Sequence, residues 1–406
     1  MDRRTRVCIS KSQDGVKTRA NLKDKAPCAC PKCSENGVAD GALNEGMVMG
    51  KKIAVVIGNP GLEYARLFLK DCLESLSGLN YPRDDYRVYI VDLKSTDESS
   101  NFIQTMAPWV VLLQTGRDGW GHGNNVGAKR AMEDGYDDYF CFWNQDIVVH
   151  PDCLAEILKA FDSDPAIGIV QPKLLLYPAN EEEKKAPLIN SIGNVIHFLG
   201  FAYSGGYKLP SSAVGDEVRD VPYASGAGMV VRKETYLAVG GCDEDWFMYH
   251  DDLEICYKAR LLEYRIAIAP KASMFHKYEF GRNKHKFYYM ERNRFLFILQ
   301  FFECSTLFLI LPAFIVMELG VLYYAFRNGW LSAKWKAYSY FLDPGNRNAL
   351  YSKRKIWQKR RKVRDLQTMR DFSSKIQFHD LRSPILEYLV NPALTIYWQG
   401  IKKILG

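Results

Sequence analysis

Tyr139-Phe140-Cys141-Phe142-Trp143 is a run of five apolar and aromatic residues that stops abruptly at Asn144-Gln145-Asp146. A run this short, bounded by polar residues, reads as a strand covered on both faces. Lys52-Ile53-Ala54-Val55-Val56-Ile57-Gly58 and Tyr86 to Val91 are similar runs. Between them, from Tyr64 to about Ser77, Leu67, Leu69, Leu73 and Leu76 recur as they would on a helix. Strands joined by a helix at the start of the organised region argue for a doubly wound α/β sheet. Ligands of such sheets sit beyond the carboxyl ends of the strands, which is where Asp146 falls. A single Asp after a strand serves equally well as a helix cap or turn residue.

The stretches around it add weight. Gly119-Trp120-Gly121-His122-Gly123-Asn124-Asn125-Val126-Gly127 follows a third apolar run, Trp109 to Gln114, and leads into a helix expected over Ala128 to Asp134. Glycines let backbone N–H groups approach a ligand, and a helix N-terminus favours anions. The plainer reading is a turn closed by cap glycines. No Gly-Lys-Ser/Thr follows, so this is not the phosphate loop of nucleotide triphosphatases. Further on, a strand expected over Tyr223 to Arg232 passes through Ser225-Gly226-Ala227-Gly228, small residues that admit a ligand close to the backbone. After a helix expected over Lys233 to Val239 comes Met248-Tyr249-His250-Asp251-Asp252-Leu253-Glu254-Ile255-Cys256. On a helix Asp251 and Glu254 share a face while Asp252 points elsewhere. Crowded carboxylates raise one another's pKa, which tunes a general base. A solvated acidic helix is the bland alternative; the apolar residues Trp246, Phe247, Ile255 and Cys256 on either side argue for a half-buried one.

In this order and spacing, the Gly-rich loop, Asn144-x-Asp146, the Ser225 to Gly228 turn and the Asp251-Asp252 pair resemble the family 2 glycosyltransferases with a GT-A fold. Within them the set looks most like the rhamnosyltransferase-like branch, whose metal motif reads Asn-x-Asp. The likeness covers roughly Ile53 to Arg294. It implies an α/β chain with a GT-A (Rossmann-like) mixed sheet flanked by helices. It implies a divalent cation, Mg²⁺ or Mn²⁺, held by Asp146, with His276 beyond the last core strand (Arg265 to Ala269) reaching the metal or a diphosphate. Lys277, Arg282, Lys284 and Arg292 lie near that histidine. The donor would be contacted by Asp92 and Asp97, with Ser95 between them, and by Gly121, Asn124, Asn125, Asn144 and Gly226. Ser95-Thr96-Asp97 also reads as a helix cap. Asp252 takes the place of the general base, with Asp251 and Glu254 orienting it or the acceptor. One in-line displacement implies inversion at the anomeric carbon. Two departures stand out: Leu93 replaces a polar residue after Asp92, and Gly58 stands where Thr is usual.

At 406 residues, 47% of them apolar, the chain has ample material for one large domain with appendages. Residues 1–46 are polar and basic without periodicity and are expected to be disordered, or to precede a true start at Met47 or Met49. Cys30 and Cys33 form a Cys-x-x-Cys pair beside Cys28, with Cys8 further off, and no second pair follows at zinc-finger spacing. Cys72, Cys141 and Cys256 lie in apolar segments, which favours a reducing compartment. No amino-terminal apolar run resembles a signal peptide. Residues 47–294 form the catalytic domain. Residues 295–330 are strongly apolar, with Cys304 to Met317 uncharged around Pro312, and Glu303 and Glu318 bracket that core. Because spanning needs about 20 apolar residues, this reads as a membrane-associated helix or as a hairpin broken at Pro312. A buried helix of a soluble fold is the alternative.

Residues 331–406 carry Lys353-Arg354-Lys355 and Lys359-Arg360-Arg361-Lys362, an anionic-lipid signature or a solvated basic helix, and a second amphipathic stretch from Pro384 to Leu405. The net charge of +7 gathers in this last third, and no nucleic-acid-binding motif is present. The expectation is an inverting enzyme on the cytoplasmic face of a membrane. It would move a sugar, possibly rhamnose, from a nucleotide-sugar donor to a lipid-linked or cell-surface glycan acceptor. The rivals are a nucleotidyltransferase on a similar sheet and an inactive membrane-bound scaffold that keeps the fold.

Overall fold

The computed structural model describes residues 50–405 apart from 94–96, 278–285 and 378–383, all within one compact unit. The expected disordered tract, its cysteines, the two candidate starts, Ser95, Arg282 and Lys284 lie outside the described residues.

Strand β1 (Ile53–Asn59) is followed by a one-turn helix α1 (Leu62–Tyr64), a π-helical turn (Ala65–Leu69) and α2 (Lys70–Ser77). Then come β2 (Tyr86–Leu93), α3 (Ser99–Met106), β3 (Val111–Thr115), α4 (Trp120–Asp134), β4 (Tyr139–Trp143), β5 (Ile147–Val149), α5 (Cys153–Ser163) and β6 (Ile167–Leu176). The charge run at Glu181 is a short helix, α6 (Glu181–Lys185), rather than a loop; Asn180 caps it by accepting from the Glu183 N–H. After β7 (Ile189–Ser191), the strands β8 (Asn194–Ile196) and β9 (Ala202–Ser204) form an antiparallel hairpin. Next are β10 (Arg219–Asp220), β11 (Gly228–Arg232), α7 (Lys233–Val239), α8 (Asp251–Leu261) and β12 (Arg265–His276).

The main sheet has the order β10-β12-β6-β11-β4-β1-β2-β3, with β5 and β7 added on β12 and β6. Strands β4, β1, β2 and β3 are parallel, whereas β11 runs antiparallel to both β4 and β6. The sheet is therefore mixed. Along β4, Phe140 and Phe142 enter the core on one face, while Tyr139, Cys141 and Trp143 enter the core on the other. That two-sided burial explains a strand without polar alternation.

The Gly-rich stretch departs from expectation. It is already helical from Trp120, eight residues before Ala128. A Cβ on Gly123 would press on Leu93, and one on Gly127 would overlap Val56. These glycines let α4 lie close on the sheet. The Gly58 position likewise makes room for the Leu93 side chain, so the two departures from the family pattern fill one another's space.

The last third is α9 (Lys286–Phe301), α10 (Cys304–Arg327), α11 (Leu331–Tyr340), α12 (Pro344–Arg360), α13 (Asp365–Thr368) and α14 (Asn391–Leu405). Helix α10 continues through Pro312, so no hairpin forms there. Most of the basic run serves the fold. Lys353 pairs with Asp243 at 2.6 Å and Asp245 at 2.7 Å. Arg354 donates to the Leu299 and Phe302 carbonyls, and Arg361 pairs with Asp365 at 2.6 Å. These contacts fasten α12 to the 243–245 loop, to the end of α9 and to Asp365.

A buried ionic cluster joins α9, α10 and α11. Arg294 pairs with Glu291 and Glu318, and Lys334 pairs with the same two acids. Tyr338 donates to Glu318 at 2.6 Å. Burial alone would raise the Glu291 pKa, but Arg294 and Lys334 outweigh it and hold that carboxyl down at about 2. Removing one partner strands charge in an apolar setting. Glu318→Ala is accordingly expected to lower stability by about 3–5 kcal/mol, read as a fall in the urea midpoint; an unchanged midpoint would show that the cluster does not hold α10.

Candidate active site

The carboxyl ends of β1, β2 and β4 converge on one rim. Asn144, just past β4, donates its backbone N–H to the Ala227 carbonyl at 3.1 Å. Asp146 follows. Its neighbour Ile147 opens β5, which pairs antiparallel with the end of β12 and sets His276 opposite Ile147. This register brings His276 Nε2 to 3.3 Å from Asp146 Oδ1, with both residues buried. β12 reaches His276 itself, several residues beyond the expected end of the strand.

His276 Nδ1 lies 3.0 Å from Asn190 Oδ1. An amide oxygen only accepts, so Nδ1 carries a proton and Nε2 faces the carboxylate. A ring nitrogen against a carboxylate is favourable when positive charge lies between them, as a proton or a metal ion. Among the described residues no cluster of three or more His, Cys, Asp or Glu suits a metal. One carboxylate and one imidazole do not build a closed zinc site. They do fit a hard divalent cation that takes its remaining ligands from water and phosphate oxygens.

The second acid pair opens α8. Asp252 Oδ2 accepts the Gly226 N–H at 3.0 Å and Oδ1 accepts the Leu253 N–H at 2.8 Å. A Cβ on Gly226 would sit 3.2 Å from Asp252 Cβ and 3.2 Å from the Trp120 ring, a tight fit that would require both neighbours to shift. Gly226 thus holds Asp252 through its backbone N–H. The Asp251 carboxyl accepts the Asp252 N–H at 3.1 Å. Burial pushes both carboxyls up, and the charge of Asp252 lifts Asp251 further. Two hydrogen bonds, Gly226 N–H to Asp252 and Asn144 N–H to the Ala227 carbonyl, link the turn that holds Asp252 to the segment that carries Asp146. Glu254 does not join them. It pairs with Lys258 at 2.8 Å and accepts the Asp243 N–H, so it braces the loop before α8.

That loop is strained. Phe247, Tyr249 and His250 have φ of 65°, 60° and 61°. Met248 donates to the Trp246 carbonyl at 2.8 Å across a tight three-residue turn. Each such residue costs about 1–3 kcal/mol and persists only when its surroundings enforce it. Asn293 supplies the enforcement, its Nδ2 lying 2.9, 2.9 and 2.6 Å from the carbonyls of Trp246, Met248 and Tyr249. Arg292 donates to the Asp245 and Trp246 carbonyls at 2.8 Å each. Arg292 is thus a loop clamp, not the diphosphate contact its position near His276 suggested. Asn293 had no sequence signal. Gln171 is a second unforeseen support, accepting the Ser225 N–H at 2.6 Å and holding the turn that carries Gly226.

The expected donor residues divide. Asn144 stands half-buried on the rim, and the Asn124 Nδ2 is buried without a partner, as are both side-chain polar atoms of Gln145. Unpaired buried groups of this kind suit a polar ligand. Asn125 does not fit: its amide bonds Cys242, Glu244 and Tyr236, bracing α4 against the 241–244 loop. Gly121 packs against Cys242 and reaches no cleft. Asp92 is buried at the end of β2, with its oxygens taken by Asn59, Ser99 and Ser100. It positions Asn59 rather than presenting a free carboxylate. Asp97 accepts the Leu62 N–H at 2.8 Å and the Ser99 N–H at 2.9 Å, the capping alternative. Lys277 pairs with Asp71.

Residues 63–205 match the family model for Glycosyl transferase family 2. That segment is thus a family 2 glycosyltransferase domain, and the mixed, helix-flanked sheet agrees with the GT-A type that the resemblance implies. Among curated relatives it is similar to Rhamnosyltransferase WbbL of Escherichia coli (strain K12), 26% identical over 263 residues, which span 59% of this chain and 94% of the relative. It is also similar to the Low-salt glycan biosynthesis hexosyltransferase Agl10 of Haloferax volcanii, 22% identical over 244 residues, 52% of this chain and 75% of that one. Among solved structures, the mannosyltransferase PcManGT from Pyrobaculum calidifontis, in complex with GDP-Man and Mn²⁺, aligns with a TM-score of 0.43 at 16% identity over 89% of each chain. S. aureus TarS 1-349 aligns at 0.44 with 15% identity, over 87% of this chain and 90% of that one.

A base must be ionised to accept a proton, and burial raises the pKa of Asp252. Its activity should be present above that raised pKa and lost as pH falls through it. The acid limb of kcat/KM is expected well above the ordinary Asp value of about 3.9; a limb at or below that value would exclude a buried carboxylate as base.

Proposed function

We propose that the chain catalyses inverting, metal-dependent transfer of a sugar from a nucleotide-sugar donor to a lipid-linked or cell-surface glycan acceptor. The observation that carries this reading is the pairing of Asp146 with His276 at 3.3 Å, together with the Gly226 and Asn144 hydrogen bonds that tie the Asp252 turn to the segment carrying Asp146. Asp252 accepts the proton of the acceptor hydroxyl while that oxygen attacks the anomeric carbon. The bond from that carbon to the diphosphate breaks in the same displacement, and nucleoside diphosphate departs. Asp146 and His276 would hold Mg²⁺ or Mn²⁺, which supplies positive charge against the departing diphosphate. Asp251 keeps Asp252 in place through its backbone N–H. Asn144 and Asn124 lie where donor polar groups would be met.

The curated relative named a rhamnosyltransferase favours a deoxyhexose such as rhamnose as the transferred sugar. The apolar face of α10 favours attachment to a membrane, on its cytoplasmic side where nucleotide sugars are available. A nucleotidyltransferase gains nothing from the Gly58 to Gly61 turn, which offers no basic group. The inactive-scaffold reading leaned on Leu93 and Gly58, and their mutual packing removes that support.

Assays of donor turnover with and without Mn²⁺ separate these readings: nucleoside diphosphate release supports transfer, pyrophosphate release the nucleotidyltransferase, and no release the scaffold. Asp252→Asn should lower transfer by about 10²–10⁴-fold with donor affinity nearly intact. Asp146→Ala should instead weaken metal-dependent donor binding. Parental rates in the first variant, or unchanged metal dependence in the second, would refute the roles assigned.

A further inference from the structure

We infer that α10 and α14 form an inside-out platform that lies in the plane of a lipid bilayer surface and does not cross it. This rests on the membrane attachment proposed above and is independent of the sugar chemistry.

Helix α10 is long and apolar enough to span, by length and composition. Its two faces argue otherwise. One stripe faces the protein along the whole helix: Thr306 and Ile310 are buried near its start, Phe314 and Met317 pack in its middle, and Ala325 is buried in its last turn. Glu318 lies on this inner side, its carboxylate held by Arg294, Lys334 and Tyr338. The opposite stripe carries Phe308, Leu311, Ile315, Val316, Leu319 and Tyr323, with Phe308 77% and Val316 70% exposed. Soluble helices put apolar residues inside and charge outside. Here the outer face is apolar as well, and the acidic Glu318 lies on the inner one.

Helix α14 repeats the pattern beside it. Leu394, Trp398 and Ile401 point inward, with Trp398 stacked on Phe198 at 4.8 Å. Tyr397 donates to the Leu309 carbonyl of α10 at 2.6 Å. Ile396 and Ile404 of α14 are exposed, as are Tyr388 and Leu389 in the π-helical turn Leu386–Val390 that leads into it. Apolar surface this continuous is rare on a soluble monomer.

The occupant is lipid because the outer stripe of α10 has no charged residue before Arg327, whereas Arg327, Lys402 and Lys403 stand at the helix ends. That is the layout of an interfacial helix on an anionic membrane. Crossing would need about 20 residues surrounded by lipid. It would strip the inner stripe from the protein and carry Glu318 into hydrocarbon without its partners.

The test places nitroxide labels at Phe308→Cys, Val316→Cys and Phe326→Cys, with Cys304→Ser, in the full chain on phosphatidylcholine vesicles containing phosphatidylglycerol. Oxygen and nickel accessibilities then report depth. Similar, shallow depths at all three sites support an in-plane platform. A deep Val316 between two ends on opposite surfaces, or labels that stay aqueous, would overturn it. No donor is present, so failure of the transfer reading leaves this result untouched. In parallel, Leu311→Glu with Val316→Glu should cut vesicle cosedimentation by about tenfold or more while donor hydrolysis in solution persists; undiminished cosedimentation would also overturn it.

Discussion

The hydrogen bond from the Gly226 backbone to the Asp252 carboxylate is the constraint on which the site depends. It fixes the candidate base to the turn that precedes β11, and β11 is bonded to β4 through its whole length. The base is thus placed relative to the strand that delivers Asp146. A glycine fits here because Asp252 and Trp120 both close on it. A few backbone bonds thus connect the segments that carry two acids far apart in sequence. Their environments then diverge: Asp146 faces an imidazole, while Asp252 is buried among groups that raise its pKa. Such a divergence suits the two roles proposed for these acids, one holding charge and the other moving a proton.

Helix α9 links this site to the periphery. Arg292 and Asn293 hold the strained loop before α8, and the next residue, Arg294, anchors Glu318 of α10. Successive side chains on a helix point in different directions, so one turn of α9 reaches both places. The carboxyl-terminal helices are therefore part of the catalytic scaffold rather than an appended tail. Lys353 on α12 makes a further tie, to Asp243 and Asp245 in the same loop.

The parallel strands were legible because two-sided burial demands uninterrupted apolar runs, as in Tyr139 to Trp143 and Ile53 to Ile57. The pairing of Asp146 with His276 and the nearness of Asp252 to Gly226 agree with the family resemblance. The glycines of α4 misled because close helix-to-sheet packing and close approach to a ligand both call for a missing Cβ. Asn125 misled because nothing local shows that its amide is consumed by Cys242, Glu244 and Tyr236. The basic run near α12 looked like a lipid contact, yet Arg354 spends its donors on backbone carbonyls. Asn293 was invisible, since its role exists only once the loop has folded around it. Pro312 suggested a break, but α10 carries it without interruption.

The most direct measurement is an anomalous-difference map of the protein crystallised with Mn²⁺ and a nucleotide sugar. The account predicts a manganese peak between Asp146 and His276, bridging to the diphosphate, with the anomeric carbon turned toward Asp252. A peak elsewhere, or a sugar facing away from Asp252, would contradict it.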